Sequence, residues 1–213
     1  MDTAVALVQA YLRINGYFTV AEYPVLDVSP RIPARTMTDL DILAIRLHRE
    51  PPAHGGLDAT DQDPALGAAR ETADMIVGEV KEGTPRINPA MRDPAVLEAA
   101  FTRFGCCPAD TAADLVDELL RTGRVVAPAG HVIRTVAFGN PHHVSSTREW
   151  HTVSLEHIIE FLGDHFHTNW HTVGHTQIKD DVLGMFALME KSRRATQPID
   201  GREYPNPTQQ TPG

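Results

Sequence analysis

The chain has 213 residues and a formal net charge of −9 with its histidines neutral. That length suits one domain with a sizeable core, and no run approaches the roughly 18 apolar residues that would suggest a membrane span. The acidic balance argues against a strong sequence-independent grip on nucleic acid, which usually needs a basic face, but does not exclude a nuclease.

Residues 3–15, TAVALVQAYLRIN, carry Val5, Val8 and Leu12 at helical spacing, and Asn15-Gly16 closes that helix. Residues 17–26 are aromatic and β-branched and predict a strand, with Pro24 marking an edge position or a bend. A loop with Pro30 and Pro33 follows. TDLDILAIRL, from Thr38, then reads as a buried strand. Residues 48–71 are polar and broken by Pro51-Pro52 and Gly55-Gly56, which predicts an excursion between strands. Residues 74–81, DMIVGEVK, read as a second buried strand.

After a proline-containing loop, residues 94–104 predict a helix, with Asp93 as its cap and Pro94 at its first position. A further helix is expected over 110–122, with Leu115, Val116, Leu119 and Leu120 as its apolar side. Strands over 125–127 and 131–138 are separated by the turn Pro128-Ala129-Gly130. Ser154 opens a helix to about Phe161, and a last helix lies within 177–191. From Ser192 the chain is polar and proline-rich. The expected fold is therefore α/β, three layers with a mixed central sheet flanked by helices. It forms one domain over 1–190, with a core in 1–105 and a C-terminal elaboration in 106–190. Residues 191–213 form a disordered polar tail.

Two features of the buried strands stand out. Asp39 and Asp41 lie in the first, Glu79 and Lys81 in the second. Side chains alternate across a strand, so Glu79 and Lys81 share a face, as do Asp39 and Asp41. Charge in an apolar strand is costly unless it is paired or bound to a metal. If the strands are neighbours, two carboxylates and an amine meet on one ledge, a set that suits Mg²⁺ and a phosphate. The same residues also suit a buried ion pair, Asp41 with Lys81, and Glu79 with an arginine such as Arg46.

This pattern resembles the PD-(D/E)XK nuclease superfamily, the restriction-endonuclease-like fold. That family carries an acid on one core strand and an E-x-K triplet on the next. Here Asp41 matches the first position, and Glu79-Val80-Lys81 matches the triplet. A helix and a strand precede them, as in the family, and the likeness covers roughly residues 1–105. Leu40 stands where the family often has proline, and Val5 and Gln9 stand where many members have a helix acid; only Asp2 is acidic there.

The resemblance implies a Mg²⁺- or Mn²⁺-dependent hydrolase that cleaves phosphodiester bonds in DNA. Asp41, Glu79 and the Val80 carbonyl would hold the metal, with Asp39 in reserve. Lys81 would position or deprotonate the attacking water and offset charge on the phosphorane. A helix packing on the sheet after the triplet would place Arg92 and Arg103, with Arg35 from the earlier loop, as candidate DNA contacts. A non-catalytic interaction module on the same fold is the alternative. The expected partners are DNA and, at most, a second copy of the chain in a homodimer, with no membrane.

Nine of the eleven histidines lie between His131 and His175, and His165, His167, His171 and His175 crowd around Trp170. The H-E-x-x-H metal signature is absent, and His171 to His175 are poor helix formers. A loop with partly exposed histidines is expected. Cys106 and Cys107 are adjacent, which suits neither a structural disulfide nor a zinc site. Free thiols, and an N-terminus with no basic-then-apolar segment, fit a cytoplasmic protein.

Overall fold

Residues 2–27, 35–47, 62–68, 72–140 and 150–195 are described by the computed structural model. Asp2 begins the first helix, α1 (Thr3–Ile14), by accepting the Ala4 N–H at 2.8 Å. Val5, Val8, Tyr11 and Leu12 make its buried stripe. Gly16, at φ 84°, turns the chain out of it.

Three strands follow as an antiparallel meander: β1 (Phe18–Asp27), β2 (Arg35–Arg46) and β3 (Asp74–Val80). A crossover of α2 (Pro94–Arg103), α3 (Ala112–Thr122) and β4 (Arg124–Val126) leads to β5 (Val132–Gly139), parallel to β3. The remainder is β6 (His151–Ser154), α4 (Leu155–Thr168), the one-turn α5 (Trp170–Val173) and α6 (Asp181–Ala195). The open mixed sheet has the order β1-β2-β3-β5-β4. β4 runs antiparallel to β5, and β6 runs parallel to it further along.

β3 and β5 are buried along their whole length, so both of their faces are covered. Met75 and Val77 face a core with Leu97, Phe101, Val116 and Leu119 from α2 and α3. Ile76 and Val80 face the other core, with Val8 and Leu12 of α1 and Ile158 and Leu162 of α4. Helices therefore cover the sheet on both sides. Gly78 makes the middle of β3 fit. A Cβ there would meet Phe138 Cε2 at 3.0 Å and Ile42 Cβ at 3.3 Å.

The C-terminal third departs from expectation. α4 runs to Thr168 rather than Phe161, because Ile158, Leu162 and Phe166 continue one buried stripe. Ser154 caps it through the His157 N–H. His165 and His167 therefore lie on a helix, His171 lies on α5, and His175 follows in a turn. β6 is a strand beyond those expected from the sequence. α6 continues to Ala195, past the point where a tail was expected from Ser192, and residues 196–213 lie outside the described residues.

Most of the 48–71 excursion also lies outside them. Within it, Pro64–Leu66 forms one 3₁₀ turn that buries Leu66. Cys106 and Cys107 are buried free thiols after α2, as expected.

Candidate active site

β2 and β3 are neighbours, and their ladder runs from Arg46↔Asp74 to Ile42↔Gly78. One residue further on, Asp41 lies opposite Glu79. There the ladder stops, and a side chain replaces a backbone partner. Asp41 Oδ2 accepts the Val80 N–H at 2.8 Å.

The same position is irregular on the other flank of β2. Glu22 of β1 lies opposite Asp41 and has φ 51°, the one positive value among the described non-glycine residues. Ala21 and Ile42 pack on the α1 side of the sheet. Tyr23 and Leu40, each two residues away, pack on the α2 side. Strict alternation would have kept each pair on one face. The break at Glu22 and Asp41 re-aims both strands, as irregularities beside functional sites often do.

Lys81 Nζ lies 2.5 Å from Glu79 Oε1 and 3.6 Å from Asp41 Oδ2. The Glu79 side chain is 1 % exposed, Asp41 23 % and Lys81 32 %, so the ledge is closed behind Glu79 and open at Lys81. The buried Glu79 carboxylate has the Lys81 ammonium as its close partner, in an ion pair rather than a well-aligned hydrogen bond. Burial pushes the Glu79 carboxyl above its ordinary value, and the Asp41 charge adds to this. Lys81 and Asn88 pull the other way. Burial alone would lower the Lys81 ammonium, but Glu79 and Asp41 outweigh it and hold it above its usual value.

The loop carrying Lys81 is clamped. The Lys81 N–H donates to the Phe138 carbonyl at 2.9 Å, and the Asn140 N–H to the Gly83 carbonyl at 2.7 Å. Gly139 allows this approach. A Cβ there would lie 2.7 Å from the Gly83 oxygen and 3.0 Å from the Lys81 oxygen.

No family model, no curated protein and no solved structure matches this chain. The site must be read from its own geometry. Asp41, Glu79 and Lys81 come together. Asp39 does not join them; it is exposed and pairs across the strands with Pro24. Arg46 is not the partner of Glu79. It lies at the far end of β2, with its guanidinium 5.3 Å over the Tyr17 ring. Arg92 stacks over Trp150 at 5.2 Å, and Arg103 ends α2. No described contact ties either arginine to the ledge. Arg35 begins β2, and its side chain lies outside the described residues.

Among the described residues no three His, Cys, Asp or Glu side chains gather as a metal cluster. The ledge gathers two carboxylates, Glu79 buried and Asp41 partly exposed, around one lysine, and carboxylate oxygens are the donor type that hard cations take.

Two further polar networks escaped the sequence reading. Asp74 accepts from Tyr17 Oη at 2.6 Å and from Arg134 Nε at 2.7 Å, with all three residues buried. Asp63 accepts from Tyr11 Oη at 2.6 Å and faces His157 Nε2 at 2.6 Å. Asp74 carried a signal, since it is charged inside the same apolar run as Glu79. Asp63 carried none, because it stands in a segment that reads as surface loop.

Proposed function

We propose that this protein is a Mg²⁺- or Mn²⁺-dependent phosphodiesterase acting on DNA, with a restriction-endonuclease-like core of the PD-(D/E)XK type. The observation that carries the reading is Glu79. A buried carboxylate is expensive, and two of them sharing a single lysine are more so. Such a pair is retained where a cation is to be held. The neighbouring acid-bearing strands, with one helix before them and another after, are the arrangement the resemblance implies.

Asp41 and Glu79 would hold the cation, with the Val80 carbonyl as the third oxygen that the resemblance implies. Asp41 is kept in place by the Val80 N–H. A bound divalent metal supplies charge stabilisation at the phosphoryl oxygens and eases deprotonation of water. Lys81, partly exposed at the open side, orients the attacking water and offsets the charge that develops on phosphorus. Burial keeps bulk water away from Glu79, while Asp41 and Lys81 stay partly open to it.

The test is cleavage of single-stranded, double-stranded and branched DNA, with and without Mn²⁺. Wild type is expected to cut only with the cation. Asp41→Ala is expected to lose both cation binding and cutting, and Lys81→Met to lose cutting while still binding Mn²⁺. A folded wild type that binds no cation and cuts none of these substrates refutes the proposal.

That outcome would leave a second reading, a non-catalytic interaction module on the same fold. The net charge of −9, and Val5 and Gln9 in place of an acid within α1, favour it.

A further inference from the structure

Lys81 reaches both acids of the ledge. Its Nζ approaches Glu79 Oε1 at 2.5 Å and Asp41 Oδ2 at 3.6 Å, so one ammonium serves both carboxylates. The two acids are fixed in different ways. Asp41 is tied to the Val80 backbone, and Glu79 is buried on the central strand. Apart from these two carboxylates, the described contact that fixes Lys81 is at its backbone, where its N–H bonds to the Phe138 carbonyl. Its side chain is a flexible four-carbon stem, 32 % exposed, on the open side of the ledge. A divalent cation and an ammonium cannot share the same oxygens at close range without strong repulsion. Of the three groups, only the lysine has both the freedom and the room to leave.

We propose that Lys81 is an internal counter-ion latch: its ammonium occupies the cation position between Glu79 and Asp41 in the resting protein, and the side chain swings to solvent when a divalent cation is bound. This rests on the cation-binding reading above and adds the order of events. The latch answers a stability problem, because two carboxylates facing each other on adjacent strands need a positive charge at all times. It also couples two roles of one residue. The lysine reaches the position from which it meets water and phosphate only after it has left the acids. Cation binding therefore arms the site as well as filling it.

The chain has three lysines, Lys81, Lys179 and Lys191, so amine labelling reads the latch directly in the wild-type protein. Acetylation by a small activated ester, followed by peptide mass spectrometry, is run with and without Mg²⁺, alongside a calorimetric Mg²⁺ titration. The labelling rate at Lys81 is expected to rise severalfold with Mg²⁺, while Lys179 and Lys191 stay unchanged. In parallel, Lys81→Met is expected to bind Mg²⁺ on the order of ten-fold more tightly than wild type, a change of about 1.4 kcal/mol. Lys81→Arg, which keeps the charge, is expected to gain nothing. Mg²⁺ binding by wild type with unchanged or reduced Lys81 labelling overturns the latch and leaves the cation site standing. Absence of Mg²⁺ binding in both wild type and Lys81→Met overturns the cation site, and the latch with it.

Discussion

Asp41 Oδ2 accepts the backbone N–H of Val80 at 2.8 Å, so the first acid is bonded to the residue that separates the second acid from the lysine. This one bond joins two strands at the point where their ladder ends. It predicts a difference between two substitutions. Asp41→Ala leaves the part-buried Val80 N–H without its acceptor and is expected to cost about 1–3 kcal/mol. Asp41→Asn keeps an oxygen in place and is expected to cost less than half as much. Urea unfolding of the three proteins checks this; equal losses would show that the charge, rather than the bond, is what the fold uses.

Glu79→Gln is expected to stabilise the protein at neutral pH, by an amount on the order of 1 kcal/mol. The folded carboxyl is held above its ordinary value by burial and by Asp41. Between the unfolded value of about 4.3 and the folded one, the unfolded chain ionises more readily, and wild-type stability falls. Glutamine removes that loss. The gap between the variant and wild type is therefore expected to be wide near pH 7 and to close as the pH falls towards about 4. Melting curves across that range read it directly.

Asp63 predicts the opposite sign. Burial pushes its carboxyl up, but hydrogen bonds from Tyr11, the Ala65 N–H and His157 outweigh this and hold it below its ordinary value. Its contribution is present above about pH 4 and is lost as the pH falls through the lowered folded value. Asp63→Asn is expected to cost about 2–3 kcal/mol near neutrality, the scale of hydrogen bonds to a charged group. That cost should shrink in acid. A cost independent of pH would show that shape, rather than charge, sets it.

Arg134 makes two bonds to Asp74, at 2.7 and 3.1 Å, and one to the Leu66 carbonyl at 2.6 Å. Arg134→Met strands a fully buried carboxylate and is expected to cost about 3–5 kcal/mol. The double variant Arg134→Met with Asp74→Leu is expected to recover much of that loss, because no buried charge is then left unpaired. Chemical denaturation of the full set forms the double-mutant cycle. Additive losses would show that the pair does not act as a unit.

Truncation should depend sharply on where the chain is cut. Glu190 is buried on α6 and accepts from Arg193 Nε at 2.8 Å and Arg194 Nε at 2.5 Å. Arg193, His167 and Arg194 hold its carboxyl down to about 2. Ending the chain at Lys191 removes both arginines and is expected to cost up to about 1 kcal/mol, the scale of partly exposed ion pairs. Ending it at Ala195 keeps them and is expected to leave the melting temperature nearly unchanged. Thermal melts of the two truncations decide it, and equal stability would sink the role given to the arginines.

Local pattern alone was enough to reveal much of this protein. Helical spacing with Asn15-Gly16 marked α1, and apolar runs marked β2 and β3. Charge in those runs picked out Asp41, Glu79 and Lys81, because an ionised group in a buried strand always needs a reason. The expected end of α4 near Phe161 falls short of Thr168, because Ile158, Leu162 and Phe166 continue one buried stripe.

Tertiary structure decided the rest, through pairings between residues far apart in the chain. No local pattern states that β2 lies beside β3 in the register that sets Asp41 opposite Glu79; a slip of one residue would have turned every side chain to the other face. Nor does any local signal mark Glu22, whose positive φ lies opposite Asp41 where both strands are re-aimed. Asp63 reads as surface loop and becomes buried only because Tyr11 and His157, from two distant helices, close over it. The sequence determined which residues carry unexplained charge. Only the packing of strands and helices decided which charges meet, because burial and partner choice are properties of the assembled layers and not of any segment in them.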